Sequence, residues 1–288
     1  ERGLKTPKKM SRGLSEETGI HLGDGSLGIY KSKWGIKYLY TISGNYDDED
    51  YFKEHVIPLM YKLYGIHPSI YKRGNRKCLE LRYQSKGLIY FKKSLGLPLG
   101  KKKNVVLPNV INGSCYERDF IRGLFDTDGC LCFKKRHKNI HYYPYISIVN
   151  GNKDLIIQVS KILKKYSFSF SLMLDRVEKR NNTLCRISKI ELYGKNSLIK
   201  WMRVISSSNP KHLNKFKTWK EKGYLPKNDS PGRNLNPGPL PYQGIEPSTF
   251  NEVCSTKAEL PGHKNSLRKI VFKHCEFCGR QDLNLRRH

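Results

Sequence analysis

The sequence predicts an α+β protein of two similar halves, each running helix, two strands, helix, two strands, helix. Three observations carry that reading. The same ordered series of signals occurs twice within the first 225 residues. Each series opens on a helix candidate ending in Asp-Gly, at Asp24-Gly25 and Asp128-Gly129, 104 positions apart (128 − 24). Within each series the apolar period switches between the 3.6 of a helix and the 2 of a strand.

Taken in order, the first helix candidate closes at Gly23-Asp24-Gly25, and strands are expected at 26–31 and 36–43. A helix follows from about Asp48 to Leu63, with Phe52, Val56, Leu59, Met60 and Leu63 on one face. Pro58 inside it lacks an N–H and should kink or split it. In the second strand of the next pair, Leu79, Leu81 and Tyr83 alternate with Glu80 and Arg82. A helix over 86–95 stops at Gly96. The second half repeats this: a helix over 116–128, strands near 130–136 and 142–149, a helix near 154–166 carrying Leu155, Ile156, Val159, Ile162 and Leu163, strands near 168–176 and 184–193, and a helix near 197–205. These halves give expected units at 1–110, with about 12 leading residues as an extension, and 111–225. Residues 226–288 read as a linker dense in Pro, Gly and Asn up to Gly244, then a tail without apolar period.

Fifty-four Lys and Arg against 25 Asp and Glu give a formal net charge of +29, a surface suited to a polyanion and hence to nucleic acid. No stretch approaches the ~20 apolar residues of a membrane-spanning helix, so no membrane is expected. No basic-then-apolar leader is visible, and the expected location is intracellular: cytoplasm, nucleoid or organelle matrix, not secreted. Cys78, Cys115, Cys130, Cys132 and Cys185 are scattered and expected to be reduced. In the tail, Cys275 and Cys278 form a CxxC near Cys254, His263 and His274, which without a spaced second pair makes a weak zinc signal. Tail segments such as QGIEPSTF also have the look of read-through past a stop.

In GIHLGDGSL, Gly19 and Gly23 stand four apart; in RGLFDTDGC, Gly123 and Thr127 occupy the same places. Small residues on one helical face allow two backbones to come close. The Asp after each sits at the helix's last turn, before a Gly suited to a left-handed stop. That end of a helix already carries partial negative charge, which disfavours a carboxylate by ~0.3–1 kcal/mol. Two such acids side by side raise at least one pKa unless a cation intervenes, and hard Mg²⁺ takes few protein ligands and shares them with phosphate oxygens. The bland alternative is a pair of ordinary Asp-Gly turns, which the matching positions in an internal repeat disfavour.

GIHLGDGSL and FIRGLFDTDGC resemble the two motifs of the LAGLIDADG homing endonucleases in their single-chain, two-repeat form, over roughly residues 14–225. The resemblance implies two αββαββα repeats, motif helices packed at a pseudo-two-fold axis, and two four-stranded antiparallel sheets forming a saddle over DNA. It implies metal ligation by Asp24 and Asp128, with Gly23 and Thr127 beside them in the metal site. Leu22 stands where the second motif has Asp126, so Asp126 reads as structural. The family also implies a lysine near the metals from each half: one of Lys101, Lys102 and Lys103, with Lys102 preferred, and Lys211. On the saddle, base-reading or phosphate-gripping positions are expected at Ser26, Tyr30, Lys31, Lys33, Lys37, Tyr40, Lys72, Arg73, Arg76 and Arg82, then at Lys134, Lys135, Arg136, Lys138, Arg176, Arg180, Arg186 and Lys189. No terminal His-Asn with a splicing nucleophile is present, so intein splicing is not expected.

The expectation is therefore a monomeric, site-specific double-strand DNA endonuclease, intron-encoded, using Mg²⁺ or another divalent cation such as Mn²⁺ on a long asymmetric site. The alternative is a non-catalytic binder such as a maturase acting on intron RNA.

Overall fold

A computed structural model describes residues 3–73, 78–102, 104–180 and 183–226. Arg76, Lys103 and the tail cysteines and histidines lie outside these residues, as do the side chains of Arg73 and Arg180.

The first half runs α1 (Arg12–Asp24), β1 (Gly25–Ser32), β2 (Gly35–Asn45), a compound helix α2 over 46–64, β3 (Ser69–Arg73), β4 (Cys78–Gln84) and α3 (Lys86–Ser94). The second runs α4 (Glu117–Asp128), β5 (Gly129–Lys134), β6 (Tyr143–Asn150), α5 (Lys153–Lys165), β7 (Ser171–Arg180), β8 (Thr183–Tyr193), α6 (Lys195–Val204) and α7 (Pro210–Lys222). Two four-stranded antiparallel sheets result, ordered β1-β2-β4-β3 and β5-β6-β8-β7.

One local outcome gives the expected interruption at Pro58 its form, and two others differ from the sequence expectation. Pro58 cannot donate to the ladder, and α2 answers by widening over Phe52–Val56, where Ile57 N–H reaches back to Phe52 O, before resuming as Ile57–Tyr64. Strand β7 starts at Ser171 rather than near Phe168: Ser167 at φ +56° ends the helical turn and drops Phe168 into the core against Trp201. Helix α7 was not foreseen, because only His212 and Trp219 of its 13 residues are buried, too few to show a period; Asn209 and Pro210 start it.

One apolar core runs through both halves, joining Leu14, Ile20, Tyr40, Ile42 and Tyr83 to Phe120, Leu124, Phe125, Ile148 and Trp201. Helix α1 crosses its centre and is buried continuously from Leu14 to Leu22, so its polar residues must find partners. Glu17 accepts from Tyr40 Oη (2.8 Å), Tyr64 Oη (3.0 Å) and the Lys92 ammonium, all fully buried. Glu16 accepts from His55 Nε2 (2.8 Å), Arg122 Nη2 (2.7 Å) and Ser208 Oγ (2.7 Å), which ties the two halves together.

Candidate metal centre and nucleic-acid interface

The small residues of the two motifs do what their spacing promised. A Cβ on Gly19 would stand 2.1 Å from Phe120 O, one on Gly123 2.0 Å from Glu16 O, and one on Gly23 2.0 Å from Thr127 Oγ1. Helices α1 and α4 thus touch backbone to backbone. The glycines after the acids have a different reason from the one expected. Gly25 (φ −80°, ψ 155°) and Gly129 (φ −99°, ψ 166°) are extended, not left-handed. Each helix passes straight into its strand, and a Cβ there would meet His21 at 2.7 Å or Phe125 O at 2.3 Å. Crowding, rather than dihedral freedom, calls for glycine at both.

This packing brings Asp24 and Asp128 together at the adjoining helix ends, and a Cβ on Gly23 would lie 3.5 Å from the Asp128 carboxyl carbon. Burial and then the Asp128 carboxylate push Asp24 up to about 7. Burial also raises Asp128, against the amide of Asn150, which donates to Asp128 Oδ2 at 2.6 Å, and against Lys102. A cavity of about 310 Å³ opens here, lined by Gly23, Lys102, Asp128, Asn150 and Asn152.

Lys102 enters the site. Its ammonium donates to the carbonyls of His21 (3.1 Å), Leu22 (2.8 Å) and Gly23, placing a cation on the electronegative end of α1. Burial lowers its pKa, opposed by Asp128 and Asp24. Lys211 is held differently: its ammonium pairs with Asp48 Oδ1 at 2.7 Å. Lys211 and Asp48 both bear on the charge of Asp24. Asp48 is therefore a third acid of the neighbourhood, one the motif comparison could not reveal because it lies outside both motifs.

Among the described residues no three His, Cys, Asp or Glu side chains converge to hold a metal. A cation held here would have two carboxylates from the protein, with its remaining places left to water or ligand oxygens, a donor set that suits Mg²⁺. The Gly23 carbonyl accepts from Lys102, and Thr127 Oγ1 donates to Gly123 O and Leu124 O, each at 3.1 Å.

The strand register sorts the expected DNA-facing residues. Ser26, Tyr30 and Lys37 share the face of Thr41 and Arg82, away from the helices. Tyr40 does not: it is fully buried on the opposite face and donates to Glu17. Lys72 pairs across from Leu79 on the helix side, with its ammonium on Glu49 Oε1 at 2.8 Å. Lys31 shares the face of Ile29 and Tyr38, and Arg186 that of Ser188 and Ile190. Alternation names two faces but does not say which one helices cover. Lys33 lies in the β1–β2 turn beside Trp34, which is 83% exposed and which the basic-residue pattern passed over. In the second sheet Lys134 and Lys189 face outward around Tyr145, at 3.8 and 5.4 Å from its ring, with Lys189 paired to Glu191. Lys135, Arg136 and Lys138 follow in the loop, and Arg136 stacks on Tyr143 at 4.4 Å. Arg176 takes the register position opposite Ile187, on the same face as Lys189.

Residues 116–200 match the family model of a LAGLIDADG-like domain. An uncharacterized protein of Methanocaldococcus jannaschii, MJ0314, is 28% identical over 182 residues; that stretch is 60% of this chain and the chain spans 63% of that relative's length. Among solved structures, I-DmoI in complex with DNA and Ca is similar over 72% of this chain and 98% of that one, with 22% identity and a TM-score of 0.50. The LAGLIDADG meganuclease I-AabMI bound to uncleaved DNA is similar over 76% of this chain and 95% of that one, with 11% identity and a TM-score of 0.45.

Proposed function

From a chain that carries a LAGLIDADG-like domain and has the two-repeat α+β fold of the LAGLIDADG homing endonucleases, we propose a site-specific, double-strand DNA endonuclease that depends on a divalent cation and acts as a monomer. The observation that carries this is the pair of buried acids, Asp24 and Asp128, at touching helix ends with the Lys102 ammonium beside them. A binder gains nothing from two carboxylates that raise each other's cost of ionisation. I-DmoI is described in complex with DNA and Ca, which supports reading the acids as ligands of a divalent cation.

Asp24 and Asp128 are the groups that would hold the cation, and their raised proton affinity falls once positive charge arrives. A bound divalent cation supplies charge neutralisation at the phosphate oxygens and activation of water. Asn150 fixes the rotation of the Asp128 carboxylate through its 2.6 Å bond. Lys102, held on three carbonyls, keeps a positive charge where a phosphodiester would meet the acids. Outward-facing Lys37, Lys134 and Arg176 supply phosphate attraction along the sheets. An intron-borne gene and an intracellular setting accompany this reading.

The test is cleavage of a randomised duplex library with Mg²⁺ or Mn²⁺, reading the recovered ends. Cutting at one long site that disappears in Asp24→Asn and Asp128→Asn, with binding to that site retained, is expected. Tight, selective binding to an RNA without cutting of any DNA would replace this reading with that of a maturase.

A further inference from the structure

Asp126 stands two residues before Asp128, yet it has no acidic counterpart in the other motif helix, where the equivalent place holds Leu22. It is 4% exposed, and a carboxylate that deep has to be satisfied by donors. The donors all come from one segment. Ser207 Oγ donates to Asp126 Oδ1, and Ser208 N–H to Asp126 Oδ2 at 2.7 Å. His212 Nδ1 stands 3.7 Å from Oδ1 and 3.4 Å from Ser207 Oγ.

Asn209 extends the connection. Its Nδ2 donates to the backbone carbonyl of Asp126 at 3.2 Å and to Asp48 Oδ1 at 3.3 Å, while its Oδ1 caps α7 by accepting from Lys211 N–H at 3.0 Å. Lys211 then places its ammonium on the same Asp48 oxygen, 2.7 Å away. Ser206, at φ +67°, turns the chain into this segment. A single buried carboxylate therefore anchors the strip of chain that delivers Lys211 and holds Asp48. Lys102, in the other half, needs no such device, because it binds the α1 carbonyls directly.

We infer that Asp126 is a positioning residue, which through Ser207, Ser208 and Asn209 sets where Lys211 and Asp48 stand beside Asp24. The two halves of the centre are then unequal by construction: one lysine is fixed by a helix end, the other by a buried acid. Substituting Asp126 releases the Lys211 side and leaves the Lys102 side in place. The consequence for cutting rests on the endonuclease reading, whereas the placement of Lys211 does not.

Two readouts separate those claims. The full chain and its Asp126→Leu variant, which copies the residue of the other half, are treated with a limiting amine-acylating reagent, and each lysine's labelling rate is followed by mass spectrometry. Labelling of Lys211 is expected to rise at least threefold with Lys102 unchanged, and Asp126→Asn, which keeps an acceptor oxygen, should recover part of the protection. If Asp126→Leu does not fold, Ser207→Ala removes one donor of the same knot and should raise Lys211 labelling by a smaller factor. On a cleaved duplex, Asp126→Leu should slow the cutting of one strand tenfold or more with DNA affinity held, and add no further loss in a Lys211→Met background. Unchanged Lys211 labelling in a folded variant, or an equal rise at Lys102, overturns the inference whatever the cleavage shows. Absence of cleavage by the unaltered chain overturns the endonuclease reading instead, and the labelling decides the placement by itself.

Discussion

Gly123 lies so close to Glu16 of the other motif helix that a single added carbon would stand 2.0 Å from the Glu16 carbonyl oxygen. The obstructing atom is backbone, deep in the core, and has no rotamer to yield. Gly123→Ala, and Gly19→Ala against Phe120 O, are each expected to cost about 3 kcal/mol or more by pushing the helices apart. Denaturant unfolding measures this; a loss under about 0.5 kcal/mol would show that α1 and α4 do not pack as described.

Asp24 makes the cation-free protein sensitive to pH. Its carboxyl is raised to about 7 from 3.8, so the folded state prefers it protonated. A raised acid contributes stability that is present below the unfolded value and lost as pH rises through about 7, here on the order of 4 kcal/mol at most. The melting temperature without divalent cation should fall between pH 5 and 8, and Mg²⁺ should raise it far more at pH 8 than at pH 5. Asp24→Asn should flatten both dependences. Persistence of the full slope in that variant would remove Asp24 from the account.

At the acid end the buried Glu16 contributes. Burial opposes its ionisation, but the His55 and Arg122 contacts outweigh that and lower it to about 2 from 4.5. The stability it contributes, about 3 kcal/mol, is present above pH 4.5 and disappears as pH falls toward 2. Urea titrations of the wild-type chain and Glu16→Gln at pH 5 and pH 2.5 should differ strongly at the first and converge at the second.

The two faces of the sheets predict different salt responses. Lys134 faces outward over Tyr145, so Lys134→Ala should weaken DNA binding and lower the slope of log affinity against log salt by about 1. Lys72, on the helix side with Glu49, should leave that slope unchanged when replaced by Ala. Equal slopes for the two variants would mean that the groove face has been misassigned.

Tyr40 is a core residue by the same sorting. Tyr40→Phe removes one of the donors on buried Glu17 and should cost about 1–3 kcal/mol while leaving DNA affinity untouched. Loss of affinity at unchanged stability would return Tyr40 to the interface.

The order of elements was legible because each is coded by neighbours in the chain. The 3.6 period of α5, the alternation of Leu79, Leu81 and Tyr83, and the paired Asp-Gly stops of α1 and α4 are all local patterns. Asp24 and Asp128 could be singled out for the same reason, as acids recurring at matching points of a repeat. Helix α7 and the start of β7 escaped because their few buried residues, His212, Trp219 and Phe168, are anchored by contacts distant in sequence.

What only the tertiary structure decided is which side of each pattern meets what. An alternating strand presents two faces, and the helices that cover one of them put Tyr40 and Lys72 on the helix side. The acids at two helix ends become one centre only because Gly19, Gly23 and Gly123 let the backbones touch. Asp48 and Asp126 gain their roles the same way: neither finds its partners in its own stretch of chain, and Asn209, 161 residues from the one and 83 from the other, joins them. Local sequence sets backbone period and charge, whereas the placement of one charge against another depends on long-range packing.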